Sequence, residues 1–236
     1  MKLLFITWNV AGLPHLVNFS GTGTNKAKPI TNILRKYLET PDTLVVINLQ
    51  ELFDEKLINQ LEYKLHNYNV YCPPEKAKSF FGISSGLMTI TNHPFDFKEF
   101  KKYANSHGED SFANKGFTVT KIKGYLIYNT HTQNENVMIG VKKYGKNALK
   151  SQIKQFGESF NNEKNPTIAG GDFNINESEF KKIINVEKIM CPDCPTINKN
   201  TPDFFCSNFA IKNPKITTED YPELSDHKMV ILECNI

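Results

Sequence analysis

The residues able to do chemistry are carboxylates, amides and histidines set at the ends of apolar segments. Gly170-Gly171-Asp172-Phe173-Asn174 follows the apolar stretch from Pro166 to Ala169 and places a carboxylate and a carboxamide two residues apart. If strand geometry continues through the glycines, Asp172 and Asn174 share one face and Phe173 points the other way into the core. An anionic oxygen beside a neutral donor could hold a hard metal or a nucleophilic water with one arm and a phosphoryl oxygen with the other. The paired glycines imply a close approach of backbone or ligand. Gly, Asp and Asn are equally the residues of a simple turn, so this stretch alone leaves both readings open.

The same arrangement recurs along the chain. Asn9 follows the first apolar run and Glu51 the second. His131 follows residues 125–129, Asp203 precedes 204–206, and Asp226-His227 precedes the last run. Strand ends gathered along one sheet edge are where open α/β proteins build their sites. Carboxylates brought together there repel one another unless a cation is present. Oxygen ligands with neutral amides select Mg²⁺, Mn²⁺ or Ca²⁺ over zinc. Two histidines in such a site can transfer protons at neutral pH. His66, His93 and His107 lack such a context and read as surface or turn residues, and His15 lies in a long polar loop. Cys191-Pro192-Asp193-Cys194 has the spacing of a zinc knuckle or redox pair, but only Cys206 stands ready as a further ligand, so these read as loop thiols.

The elements that must position these residues follow from periodicity. Residues 2–8 form a buried strand. Residues 12–28 form a loop, and a helix runs from Pro29 to about Glu39. Thr43 to Leu49 is a second buried strand, and a second helix starts at Asp54. Short strands are expected at 68–71, 86–91 and around Phe95, Phe97 and Phe100. Residues 73–84, which hold Phe80-Phe81, and 101–114 read as loops. A hairpin turns at Lys123-Gly124 between 116–122 and 125–129. After a loop from Asn134 to Gly145, Leu149, Ile153, Phe156 and Phe160 define a third helix. A short helix starts near Glu177, residues 186–202 are loop, and late strands cover 204–206 and 229–233. Helices and strands interleave, but several strand pairs are joined too tightly for parallel crossovers. The expectation is therefore an α/β protein with mixed sheets and helices outside, in one domain spanning residues 1–236.

Composition narrows the partners. The chain has 236 residues and a net charge of +3, enough to bury a core and far from the basicity of a dedicated nucleic-acid module. Arg35 is the only arginine, so bidentate clamps on phosphate or guanine are nearly unavailable. Five scattered cysteines do not form a secreted disulfide framework. No signal-like or transmembrane run is visible, and the expected placement is soluble and cytoplasmic, with no obligate protein partner implied.

Trp8-Asn9-Val10-Ala11-Gly12, Gln50-Glu51, Asn129-Thr130-His131-Thr132-Gln133, Gly171-Asp172-Phe173-Asn174 and Ser225-Asp226-His227 resemble, in order, the motifs of the endonuclease/exonuclease/phosphatase superfamily. Its members include deoxyribonuclease I, exonuclease III-type repair nucleases, inositol polyphosphate 5-phosphatases and neutral sphingomyelinases. The resemblance implies a four-layered α-β-β-α sandwich of two mixed β-sheets with flanking helices. It implies a Mg²⁺-dependent phosphoesterase, with Mn²⁺ as the alternative metal. Glu51 would be the principal metal ligand, with Asn9 beside it touching metal or phosphate and Asp226 binding metal or water. Asp172 would orient or deprotonate the attacking water, and Asn174 would donate to phosphoryl oxygens. His227 would be general base or phosphate stabiliser, oriented by Asp203. His131 would bind phosphate or act as an acid near the leaving group.

Asp110-Ser111-Phe112-Ala113-Asn114-Lys115-Gly116-Phe117 resembles the Lys-Gly motif of sphingomyelinases, 5-phosphatases and related proteins, with Lys115 near the anionic end of the substrate. Thr130-His131-Thr132-Gln133 is similar to the sphingomyelinase side. The leading expectation is a sphingomyelinase-like phospholipid phosphodiesterase, for which Phe80-Phe81 could touch lipid, although buried packing is the simpler role. The alternatives are an endonuclease or exonuclease acting on DNA or RNA, and an inactive binding module of the same fold.

Overall fold

The computed structural model describes residues 1–12, 26–74, 83–136 and 140–236; His15, Phe80 and Phe81 lie outside the described residues. Strands β1 (Lys2–Gly12) and β2 (Thr43–Leu52) are buried along nearly their whole length, which is why they read as continuous apolar runs. One face of β1, Leu4, Ile6, Trp8 and Val10, packs beneath helices α1 (Ala27–Leu38) and α2 (Glu55–Lys64). The other face starts with Leu3 and Phe5 and meets a second sheet.

The first sheet has the order β11 (Lys212–Glu219), β12 (Met229–Asn235), β1, β2, β4 (Met88–Thr91), β3 (Asn69–Tyr71). The second has the order β5 (Phe97–Lys102), β6 (Gly116–Ile122), β7 (Tyr125–His131), β8 (Thr167–Asp172), β10 (Asp203–Ser207), β9 (Lys188–Met190). Each sheet holds one parallel pair, β1/β2 joined through α1 and β7/β8 joined through α3 (Lys142–Asn161); the other neighbouring pairs are antiparallel. Helix α3 buries Leu149, Ile153, Phe156 and Phe160 against Phe117, Tyr128 and Phe204 on the outer face of the second sheet. The result is the expected four layers: helices, sheet, sheet, helix.

Alternation along the inward faces decides where chemistry can occur. At one end the sheets meet through Phe5, Val46, Ile127, Ile168 and Phe205. Further along, the inward residues become amides. Asn48 Nδ2 donates to Tyr128 O at 2.9 Å and Gly170 O at 2.8 Å. Gln50 Nε2 donates to Asn129 Oδ1 at 2.8 Å, and Asn129 Nδ2 to Leu49 O at 3.1 Å and Met88 O at 3.0 Å. Buried amides bonded in this way add directional ties between the sheets, and an unpaired one would be costly. The next inward residues along the strands are Asn9, His131, Asp172 and Asp203.

Several expectations need correction. Strand β8 runs through both glycines to Asp172, so the stretch is neither a turn after Ala169 nor a strand to Asn174. Helix α3 begins at Lys142, inside the stretch expected as loop, because its first turn overhangs the core and carries no apolar periodicity. The helix at Glu177 ends at Phe180 and continues only as turns to Ile184. Strands β9 and β11 were not expected. The first is three residues long, and the second is an exposed edge holding Pro214 and Lys215, where one face carries no buried pattern.

Candidate active site

Two bulged or left-handed strand ends aim the acidic residues. In β1, Val10 and Ala11 intervene between the pairs Asn9↔Gln50 and Gly12↔Leu52, and Ala11 takes φ 46°. Glu51 takes φ 58°, a conformation rarely adopted by residues other than glycine. Strict alternation would turn Glu51 toward the helices. The left-handed backbone brings it into the cleft instead, where Glu51 Oε1 lies 3.7 Å from His131 Nε2.

In the second sheet, register does the same work. His131 is the direct partner of Asp172 across β7/β8, and Asp203 is its direct partner across β10/β8, so three strands present one row of side chains. Gly171 permits this, because a Cβ there would sit 2.3 Å from Thr130 O. Gly170 faces Phe5 and Phe205 in the same manner. The glycines therefore serve close packing of neighbouring protein rather than ligand approach. Past the strand, Asn174 at φ 47° returns its N–H to Asp172 Oδ1 at 2.9 Å, and its side-chain amide donates to Thr132 O at 3.0 Å. A turn, not alternation, puts Asp172 and Asn174 on one side.

Asp172 is the meeting point. Its Oδ2 accepts from Asn9 Nδ2 at 3.0 Å, and lies 3.7 Å from His131 Nε2 and 3.9 Å from His227 Nε2. Burial works against its charge, but His131, His227, the Asn9 amide and the Asn174 N–H together hold its carboxyl below the usual range. Asn9 also bonds to Glu51, and its Oδ1 accepts from Ala11 N at 3.0 Å, so the amide nitrogen serves the two carboxylates while the oxygen is held by its own strand. Glu51 shows the opposite behaviour: burial and the nearby Asp172 charge raise its carboxyl above the usual range.

The two histidines are also unlike. His227 Nδ1 lies 2.9 Å from Asp203 Oδ2, which also accepts from Thr196 Oγ1 at 2.6 Å. Burial opposes charge on His227, yet Asp203, Asp172 and Asp226 outweigh it and raise its pKa to about 10. His131 is pushed down to about 4, by burial and then by the Lys115 ammonium 3.3 Å from its Nε2. Lys115 is itself buried. It pairs with Asp110 Oδ1 at 2.8 Å and donates to Thr132 O at 2.7 Å, at the wall of the cleft.

Among the described residues, two groups of side chains have ligand atoms lying within 4.8 Å of one another: Glu51, His131 and Asp172, and Asp172, Asp203 and His227. Asp226 belongs to neither and is exposed at the mouth. Glu51, His131, Asp172 and His227 line an open cleft of about 670 Å³, with Asp203 fully buried behind His227. The structure thus gathers Asn9, Glu51, Lys115, His131, Asp172, Asn174, Asp203 and His227, and leaves Asp226 at the edge. Among the described residues the cysteines join no such group.

Sequence reasoning missed the residues that hold this site together. Trp8 donates its indole N–H to His227 O at 3.1 Å. Ser225 Oγ donates to Asn9 O at 2.6 Å and accepts from His227 N at 3.0 Å. Thr196 had no signal at all. Lys26, read as loop, is buried with Nζ donating to Ala11 O at 3.0 Å, close enough for Asp226 and Glu51 to act on its charge. The one arginine serves structure: Arg35 donates to Lys64 O at 2.5 Å, at the end of α2.

The fold is shared with proteins of known structure. Sphingomyelinase C from Streptomyces griseocarneus superposes with a TM-score of 0.77 at 15% identity, covering 100% of both chains. A mutant of beta toxin from Staphylococcus aureus with bound magnesium ions gives 0.74 at 17% identity, covering 98% of this chain and 99% of that one. Truncated TDP2 from Caenorhabditis elegans gives 0.70 at 14% identity, covering 99% and 97%. No curated protein sequence matches the chain. The model of the Endonuclease/Exonuclease/phosphatase family matches residues 6–181, a span holding both parallel strand pairs and six of the clustered residues. By that match the chain belongs to the endonuclease/exonuclease/phosphatase family.

Proposed function

We propose that this protein is a Mg²⁺-dependent phosphodiesterase acting on a phospholipid headgroup, in the manner of a sphingomyelinase. The observation that carries the reading is the shared oxygen, Asp172 Oδ2, which faces His227 Nε2 on one side and the Glu51–His131 group on the other. A cation fits the second group. Glu51 and Asp172 are two carboxylates held close together; burial first and then the Asp172 charge raise the Glu51 carboxyl, and a dication would offset both. Oxygen donors suit Mg²⁺, and His131 makes Mn²⁺ acceptable as well.

Glu51, Asp172 and His131 would hold the metal, with Asn9 fixing both carboxylates. When bound, the metal supplies neutralisation of phosphoryl charge and of the leaving oxygen. The chain's own groups do the rest. His227, raised to about 10, carries its proton at pH 7, so Nδ1–H stays on Asp203 and Nε2–H is a donor for a phosphoryl oxygen. A water donating to Asp172 Oδ2 has its lone pair turned toward phosphorus; as the new O–P bond forms and the bond from phosphorus to the leaving oxygen breaks, Asp172 takes the water proton and the leaving alkoxide takes a proton from solvent. His131 is neutral at pH 7, which suits it to binding rather than to acid catalysis. Asn174 keeps one amide hydrogen for a phosphoryl oxygen.

The cleft chemistry supports a single diester over a polyanionic duplex. Glu109, Glu135, Glu179 and Asp226 line it against Lys146 and a Lys115 already paired with Asp110, an unfavourable path for a run of phosphates. The Lys115-Gly116 and His131-Thr132-Gln133 context supports the same branch. The test is headgroup release from sphingomyelin vesicles with Mg²⁺, beside phosphoinositides, abasic and intact DNA, and RNA, with Asp172→Ala as control. Mg²⁺-dependent release lost in that variant is expected. Nicking of plasmid DNA without headgroup release would overturn the substrate assignment. No activity on any ester would overturn the enzyme itself.

A further inference from the structure

We propose that the exposed face of α3 beside the cleft is a docking surface for an anionic lipid bilayer. The choice of lipid rests on the phospholipid reading above; the surface itself rests on separate observations. Lys143, Lys146, Lys150 and Lys154 follow one another at spacings of three and four residues, so they form one stripe along the helix, and all four are exposed. Like charges at this spacing destabilise a helix. No acidic residue occurs between Glu135 and Glu158 to offset them, and among the described residues none of the four forms an ion pair. Helix α2 is different, mixing Glu55, Lys56, Glu62 and Lys64. A same-sign stripe retained on one helix is accounted for by a polyanionic partner.

The second observation is apolar. The first turn of α3 overhangs the core, leaving Val141 54% and Tyr144 56% exposed, two of the five large hydrophobic residues so displayed among the described residues. An aliphatic and an aromatic side chain flanked by lysines match the composition that enters the headgroup layer, with the lysine stems lying along it. The third is place. Lys146 lines the cleft, as do Asn134, Glu135 and Asn136 just before the helix. The other three lysines do not line it, so they cannot touch the phosphate being cleaved and would meet the charges around it. A nucleic acid on the same stripe would have to lead its phosphates into the acidic cleft, whereas a bilayer presents one headgroup at a time.

The test uses the full chain and flotation with phosphatidylcholine vesicles, with and without phosphatidylserine, beside a short DNA duplex. One variant combines Lys143→Glu, Lys150→Glu and Lys154→Glu; a second combines Val141→Ser and Tyr144→Ser. Turnover of bis(p-nitrophenyl) phosphate, a soluble diester, and circular dichroism report folding and the cleft. The wild-type chain is expected to bind only vesicles with phosphatidylserine, more weakly as salt rises. The triple lysine variant is expected to lose on the order of 100-fold in partitioning, with soluble turnover unchanged. The apolar pair should lose binding that salt does not restore. Undiminished vesicle binding by the lysine variant, no wild-type binding to anionic vesicles, or tighter binding to the duplex would each overturn the proposal. Vesicle binding by the wild-type chain with soluble turnover but no headgroup release supports the docking surface while removing the phospholipid substrate.

Discussion

The indole N–H of Trp8 donates to the main-chain carbonyl of His227 at 3.1 Å, so a residue in the first strand holds the backbone of a residue nine positions from the C-terminus. Trp8 also lies against Tyr221, with ring centroids 5.6 Å apart. The Asn9 carbonyl is tied to the same loop through Ser225. The strand that carries Asn9 thereby also sets the place of His227. In Trp8→Phe the ring still fills much of the core, but His227 O loses its buried donor, at a cost of about 1–3 kcal/mol. Denaturant unfolding followed by circular dichroism should show that loss. The activity readout should be a fall in kcat with little change in KM, since orientation of the His227 imidazole at the reacting phosphate is disturbed more than substrate binding. A rise in KM alone would contradict this role.

Asp203 should act on His227 in a way that can be seen directly. Asp203→Asn removes the carboxylate that raises the imidazole, so the NMR titration of His227 in metal-free protein should move from about 10 toward its ordinary range. Turnover should fall by roughly 10²–10⁴, as when the orienting acid of a comparable pair is neutralised. An unchanged titration would break the assignment of that pair.

The stability of the metal-free protein should peak near pH 6.5. His131 is held at about 4, so between pH 6.5 and 4 the unfolded chain binds more protons and stability falls as pH falls. His227 is held at about 10, so its contribution is complete below pH 6.5 and is lost as pH rises through 10. Thermal unfolding in chelator across this range is the measurement. His131→Gln should flatten the acid side and His227→Gln the alkaline side; a wild-type curve with no maximum in the window would refute both shifts.

Glu51 should separate function from stability. Glu51→Gln removes a partly buried charge that Asp172 repels, so the metal-free variant should unfold at a higher temperature than the wild type. It should also lose the stabilisation that added Mg²⁺ gives, with metal affinity down by more than the ~10–100-fold that a supporting residue costs. Calorimetric titration together with melting curves would show both. Wild-type Mg²⁺ affinity in the variant would remove Glu51 from the metal site.

The readable residues had a common property. Asn9, Glu51, His131, Asp172, Asp203 and His227 all stand where a buried apolar run stops, and a polar side chain there is already exceptional. Trp8, Ser225 and Thr196 do not stand out in that way, because what they do depends on hydrogen bonds to partners 219, 216 and 7 residues away. Gly170 and Gly171 were legible as a place of close approach, but what approaches is Phe205 in one case and the Thr130 backbone in the other. Asp226 shares a motif with His227 and lines the same cleft, but it stands exposed and outside both ligand groups, since adjacent residues diverge wherever the chain turns.

By itself the sequence determined the buried strands, the helices that cover them and the kind of chemistry their ends could support. Period-two alternation and apolar runs are local properties, carried by each segment alone. Only the tertiary structure decided that one oxygen of Asp172 faces both histidines, that Asn9 lies between two carboxylates, and that His131 is neutral while His227 is charged. Those outcomes depend on the register of β8 with its two neighbours, on the left-handed backbone at Glu51 and Asn174, and on burial beside Lys115 or Asp203. Each is a relation between segments distant in the chain, which folding brings within a few ångströms.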